Sequence, residues 1–274
     1  MSNTTINENA IANTDKYNSN MARSLIDKIF FMDKIGDDIT AIVDYGCADG
    51  TLINFLASLF PDIVFIGYDI SATMIEKAKE KNASHDNVMF FSKLDDFHSW
   101  AASSKFAKHM ALNLSSLIHE VYSYGTKESI EDFWYFVNYS HFDYIIIRDM
   151  ALDSSAHRPS WKEDVLKVRS QLGKEMVADF ETFHGSITDN HNLIHLLMKY
   201  RYTDNWEREV RENYFPISVE AIASNIDFNY ELIYYDHYVL PYLAKTVKRD
   251  FDITLKDYTH VKFIYKNRSI EEND

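Results

Sequence analysis

Asp44-Tyr45-Gly46-Cys47-Ala48-Asp49-Gly50 is the stretch on which the reading turns. The chain carries only 7 glycines in 274 residues, yet two stand four apart here and Gly67 comes soon after. A chain that avoids glycine and then clusters it needs left-handed backbone, or close backbone approach, at that place. Upstream, Thr40-Ala41-Ile42-Val43 reads as a strand. Downstream, Thr51 to Phe60 sets Leu52, Phe55, Leu56 and Leu59 on one helical stripe, which Pro61 stops. The stretch is a strand-to-helix turn.

Working outward, the same alternation repeats. Ile63 to Tyr68 is a strand closed by Asp69, and Ser71 caps a helix to about Lys81 with Met74, Ile75 and Ala78 inward. Further strands are expected at Val88–Ser92, Lys108–Leu114 and Tyr144–Arg148, with helices at Asn20–Ile35 and Ser129–Tyr139. This rhythm predicts an α/β fold, a doubly wound parallel sheet covered on both faces. From Ala151 to Phe215 only helical periodicity recurs, too long for an ordinary connection, so a helical insertion over the carboxyl edge of the sheet is expected. A helix near Ser218–Asn225, strands near Tyr230–Tyr238 and His260–Lys266, and a helix over Leu240–Phe251 complete the pattern. The divisions are a disordered tail (1–19), a core (20–150), a helical lid (151–215), a closing part of the sheet (216–267) and a polar tail (268–274).

Composition excludes several classes. Lys and Arg number 28 against 42 Asp and Glu, a net charge of −14 that argues against a general nucleic-acid coat. No apolar run approaches bilayer length, and the Asn/Thr/Ser-rich start has neither the basic nor the apolar part of a signal peptide. Cys47 is the single cysteine, which excludes an internal disulfide and a cysteine zinc cluster and fits a reducing cytoplasm.

Open parallel sheets bind ligands beyond the carboxyl ends of their strands. Gly46, Ala48 and Gly50 would let a ligand lie against the backbone there, and Asp69 is placed to receive ribose hydroxyls. The glycine spacing is one residue short of the dinucleotide pattern, and Asp49 would repel a pyrophosphate. A nucleoside with a cationic amino-acid tail suits Asp44 and Asp49, which points to S-adenosylmethionine.

The segments 44–50 and Gly67-Tyr68-Asp69-Ile70-Ser71 with Met74 resemble the class I (Rossmann-like) S-adenosylmethionine-dependent methyltransferases. Weaker matches are Leu94-Asp95-Asp96 and Asn113-Leu114-Ser115-Ser116-Leu117-Ile118-His119. The resemblance implies seven strands, mostly parallel, with the last antiparallel. It implies that Asp44, Gly46, Cys47, Ala48, Asp49 and Gly50 form the cofactor loop. It also implies that Asp69 holds the ribose, that Ile70 packs on the adenine, that Met74 belongs to the same cofactor-binding motif, that Leu94 and Asp95 lie at the adenine edge, and that Asn113 lies near the methionine end.

Candidate catalytic residues are His119, which with Glu120 can take a proton from an acceptor, and Arg148 at the end of the fifth strand. Each has an alternative reading as a group satisfied within the fold. His184, His191 and His195 lack an H-E-x-x-H setting, and no metal site is expected. Lys199 to Arg208 interleaves basic and aromatic residues, which suits a packed helical lid better than a nucleic-acid surface. Trp161, Tyr200, Tyr202, Trp206 and Tyr214 favour an apolar or planar small-molecule acceptor, with RNA or protein acceptors open, no membrane partner expected, and oligomeric state unassigned. A cofactor-binding regulatory module without transfer is the alternative, and a nicotinamide-dependent oxidoreductase stands behind it.

Overall fold

The computed structural model describes residues 25–270, so the expected disordered tail, the start of the helix expected from Asn20 and the last residues of the polar tail lie outside the described residues. The strands are β1 (Ala41–Tyr45), β2 (Val64–Tyr68), β3 (Val88–Phe91), β4 (Met110–Ser115), β5 (Tyr144–Met150), β6 (Tyr230–Tyr238) and β7 (His260–Asn267). Among the described residues they form one sheet, ordered β3-β2-β1-β4-β5-β7-β6. The first five strands pair in parallel, and β7 runs antiparallel to both β5 and β6. The seven-stranded, doubly wound expectation with an antiparallel last strand is borne out.

Alternation along the strands explains the two covered faces. In β1, Ala41 and Val43 join one apolar cluster while Ile42 joins the other; in β5, Ile145 and Ile147 oppose Tyr144 and Ile146 in the same way. The helices before the insertion are α1 (Leu25–Lys28), α2 (Thr51–Leu59), α3 (Ala72–Lys81), α4 (Leu94–Ser103), α5 (Ile118–Tyr124) and α6 (Lys127–Tyr139). Leu52, Leu56, Ile75 and Ala78 from α2 and α3 cover one face, and Phe97, Phe133 and Val137 from α4 and α6 cover the other.

Local differences from expectation have physical causes. The described helix at the start ends at Lys28 rather than Ile35, and tight turns succeed it. Phe31 is fully buried, and Phe30 packs beside it and on Tyr234, with ring centroids 5.9 and 5.8 Å apart, so both aromatics join one apolar cluster. The helices α4 and α5, unforeseen in the sequence, carry weak apolar periodicity; α4 buries only Phe97.

The insertion and the closing part of the chain contain α7 (Lys162–His184), α8 (Asn190–Lys199), α9 (Trp206–Glu209), α10 (Val219–Ser224) and α11 (Pro241–Phe251). The helix α7 passes through a kink at Gly173, whose φ is 76°. Val168, Phe180 and Leu196 share one apolar cluster with Val247 and Phe251, so α7, α8 and α11 build a core of their own from two stretches separated in sequence. Among the described residues no helix is long and apolar enough to cross a membrane.

Candidate functional site

The loop after β1 is held by backbone geometry that few side chains tolerate. Gly46, Ala48 and Gly50 all have positive φ, at 83°, 47° and 70°. The N–H groups of Gly46 and Cys47 both donate to the Tyr68 carbonyl, at 2.7 and 3.0 Å. Asp69 straps the loop to the end of β2, one carboxylate oxygen accepting from Ala48 N–H and the other from Ser71 N–H, each at 2.9 Å. Gly50 is also a packing requirement, since a Cβ there would come within 2.8 Å of Asn82 Nδ2 and 3.0 Å of Ala78 Cβ. The loop's shape is thus fixed from both sides.

Asp44 closes the floor of this loop. It is buried at the end of β1 and accepts a hydrogen bond from Asn113 Nδ2 on β4 at 2.7 Å. Burial pushes its carboxyl up to about 6, against the opposing pull of the Asn113 hydrogen bond and of Lys28. Asn113 Oδ1 is buried and accepts no hydrogen bond among the described residues. A buried carbonyl oxygen left without a donor is costly, and its place beside an acid marks a position suited to a bound ammonium.

The remaining expected cofactor residues are distributed unevenly. Ile70 is 64% exposed just beyond Asp69, and Met74, in the first turn of α3, is half-buried. Leu94 is half-buried at the start of α4, where Asp95 is exposed. Cys47 is buried, its thiol pushed up by burial first and by the nearby acids second. Asp49 turns to α3, where it pairs with Lys81, and it also accepts from Thr51 Oγ1 at 2.7 Å.

His119 and Arg148 are both engaged within the fold. Asp149, fully buried on β5, accepts the N–H groups of Leu117 and Ile118 at 2.9 and 2.6 Å and so caps the entry to α5. Its other oxygen meets His119 Nδ1 at 2.6 Å, and His119 Nε2 lies 3.3 Å from Glu212. Burial opposes a charge on His119, but the two carboxylates overcome it and hold the imidazole up at about 10. Arg148 Nε donates to Asp27 at 2.9 Å and its Nη1 to Ser116 Oγ at 2.9 Å. Asp27 also accepts from Tyr238 at 2.6 Å and Lys262 at 2.5 Å, which clamps α1 across β5, β6 and β7.

Three participants are not apparent from the sequence alone. Asp27 and Lys28 sit on α1; Lys28 is buried, and burial first, then Arg148, brings its amine down to about 8. Its position three residues after Leu25 puts it on the inward stripe, a signal the sequence does contain. Glu212 lies in an acidic run that looks like charge compensation, and only the fold brings it to His119. The five aromatics of the insertion divide. Tyr200 and Trp206 pack into the insertion's own core, Tyr202 is half-buried, Trp161 is 64% exposed, and Tyr214 meets His119 edge-on at 5.8 Å between centroids. His191 stacks on His157 at 4.1 Å and His195 meets His184 at 4.3 Å, around a cavity of about 340 Å³ also lined by Phe183 and Phe215.

Residues 37–111 match a family profile described as a methyltransferase domain, a span running from before β1 to the start of β4. No curated protein sequence matches the chain. Among solved structures, the plantazolicin methyltransferase BamL, in complex with a triazolic desmethylPZN analog and SAH, is 14% identical, with 93% of this chain and 88% of that chain covered and a TM-score of 0.47. A SAM-dependent methyltransferase from Anabaena variabilis is 13% identical over 91% of this chain and 86% of that chain, with a TM-score of 0.47. PKMT2 from Rickettsia typhi, in complex with AdoHcy, is 14% identical over 84% of this chain and 49% of that chain, with a TM-score of 0.46. The methyltransferase-domain sequence thus lies on the first strands of this seven-stranded sheet.

Proposed function

We propose that the chain transfers the methyl group to a small-molecule acceptor held between the loop after β1 and the segment carrying Glu212 and Tyr214. The observation that carries the site assignment is the buried pair Asp44–Asn113, with an acid pushed up by burial beside a carbonyl oxygen that lacks a donor. Both would be satisfied by the ammonium of the cofactor's amino-acid tail. In this reading Asp69 stands at the ribose and Ile70 lies under the adenine, which would cover its exposed side chain. Gly46, Cys47, Ala48, Asp49 and Gly50 shape the cradle, and Met74, Leu94 and Asp95 border it.

The cofactor supplies a methyl carbon already activated by a positive sulfur. The acceptor's lone pair forms the new bond, the C–S bond breaks with its electrons left on sulfur, and the acceptor's proton passes to solvent. The protein's task is alignment and exclusion of water. We assign Arg148 a positioning role, through Asp27 and Ser116, and His119 the task of tying the insertion to β5. A free, buried Cys47 thiol supports a cytoplasmic location.

Thermal unfolding with S-adenosylmethionine, S-adenosylhomocysteine and NAD tests the reading. A ligand at about 100 times its Kd adds about 2.7 kcal/mol to the folded state, and about 2–4 °C per kcal/mol makes the shift easy to see. Both adenosyl ligands should raise Tm, and a response to NAD alone would overturn the site. Formation of S-adenosylhomocysteine with an added acceptor separates a transferase from a module that only binds.

A further inference from the structure

We propose that His119, Glu120 and Glu212 form a binding site for one first-row divalent cation, which holds an oxygen atom of the methyl acceptor. One nitrogen of His119 and one oxygen from each glutamate all lie within 4.8 Å of one another. His119 and Glu212 are 3% and 4% exposed, so this is no loose surface cluster. The three come from two distant parts of the chain, Glu212 descending from the insertion onto the two adjacent residues of α5.

The surroundings match what a metal requires of its ligands. Asp149 engages His119 Nδ1 at 2.6 Å, which leaves Nε2 facing Glu212, and Asp149 is itself fixed by two backbone N–H groups. A carboxylate behind a ligating imidazole sets its tautomer and orientation. Glu120 and Glu212 converge on His119 despite their like charge. Arg208 approaches Glu212 from the other side at 3.6 Å, and the Tyr124 hydroxyl donates to it at 3.5 Å. Without a cation, the Nε2 edge of His119 faces Glu212 at 3.3 Å, and a divalent ion would take the place of a proton there. A second trio, Asp38, His109 and Asp143, has exposed Asp38 and half-exposed His109 and lies at the amino ends of the strands, away from the loop after β1.

One imidazole and two carboxylates suit manganese, iron(II) or zinc, and leave positions open for an oxygen ligand. The site adjoins the loop after β1, since Leu117, two residues before His119, packs on Gly46, where a Cβ would fall 2.6 Å from its Cδ1. The acceptor class this implies is a hydroxyl compound, whose acidity the cation would raise. This role rests on the methyl-transfer reading above, whereas the metal site itself does not.

The test is titration of the metal-stripped full chain with Mn2+, monitored by electron paramagnetic resonance, beside thermal shifts with S-adenosylmethionine on the same samples. One saturable Mn2+ site is expected, with Glu120→Gln and Glu212→Gln each abolishing it and Asp149→Asn weakening it about 10–100-fold. Glu120 lies partly exposed, so its variant stays informative if changes at buried Glu212 or Asp149 impair folding. Absence of saturable Mn2+ binding to the wild type overturns the site, as does binding that survives Glu120→Gln unchanged. An S-adenosylmethionine shift without Mn2+ binding refutes the metal and leaves the cofactor site standing; Mn2+ binding without that shift does the reverse.

Discussion

Replacing Asp44 by Asn should abolish a pH dependence that the wild type must show. In the ligand-free chain burial holds the carboxyl up at about 6, so it is largely protonated at about pH 5 and ionised at about pH 7.5. A cation bound against it needs the ionised form. Removing that proton at about one pH unit below 6 costs about 1.4 kcal/mol, or tenfold in affinity. The amino group of S-adenosylmethionine stays protonated over this interval, so affinity should fall about tenfold between about pH 7.5 and about pH 5. The Asn variant should bind with a flat profile and, near neutrality, more weakly by about 1.5–3 kcal/mol, the usual worth of a hydrogen bond to a charged group. Ligand-free stability moves the other way. The folded carboxyl sits above its unfolded value of 3.8, so the native state grips the proton more tightly, and this contribution is complete below that value. It is lost as pH rises through about 6, a loss of about 3 kcal/mol for this one group. Isothermal titration at several pH values reads the binding arm and denaturant unfolding reads the stability arm. A wild-type affinity that does not change with pH, or an Asn variant keeping the same slope, would show that no cation sits on Asp44.

Other consequences can be checked on the purified chain. Ala48→Gly should stabilise by up to about 1 kcal/mol in urea unfolding, because φ of 47° strains an alanine by about 1–2 kcal/mol while glycine returns part of the gain as unfolded-state entropy. Gly67→Ala should cost about 1–3 kcal/mol, since its Cβ would fall 2.5 Å from Phe90 and 2.8 Å from Cys47 Sγ. Asp27→Asn should destabilise by about 2–4 kcal/mol, below the full figure for a buried pair because Asp27 keeps some exposure, and should speed proteolysis at the N-terminal segment first. An unchanged unfolding midpoint in that variant would mean that Arg148 finds another partner.

Legibility tracks the range of the interactions. The strands are readable because apolar residues alternate, or run unbroken, within one short segment, as in Ile145-Ile146-Ile147. The turn after β1 is readable because glycine is scarce elsewhere and positive φ is a local demand, although Ala48 shows the demand can be met without it. Asp69 is readable as a candidate from its position alone, but not its task of tying down Ala48 and Ser71. His119 stands out by residue type; its partners on β5 and in the insertion depend on tertiary approach that no spacing encodes. The shared core of α7, α8 and α11 is hidden for the same reason, since each helix alone looks like an isolated amphipathic piece.

The place of β7 has a bearing on assembly. The strand that leaves the ribosome after all six others does not sit at a margin; it fills the slot between β5 and β6. Until it arrives, β5 has an open flank of unpaired N–H and C=O groups and β6 has nothing to pair with. The nascent chain must therefore shelter a half-finished sheet for the whole interval in which the insertion and α11 are made. Any truncation that removes β7 strips two strands, not one, and would turn β5 into a sticky edge ready to recruit another molecule.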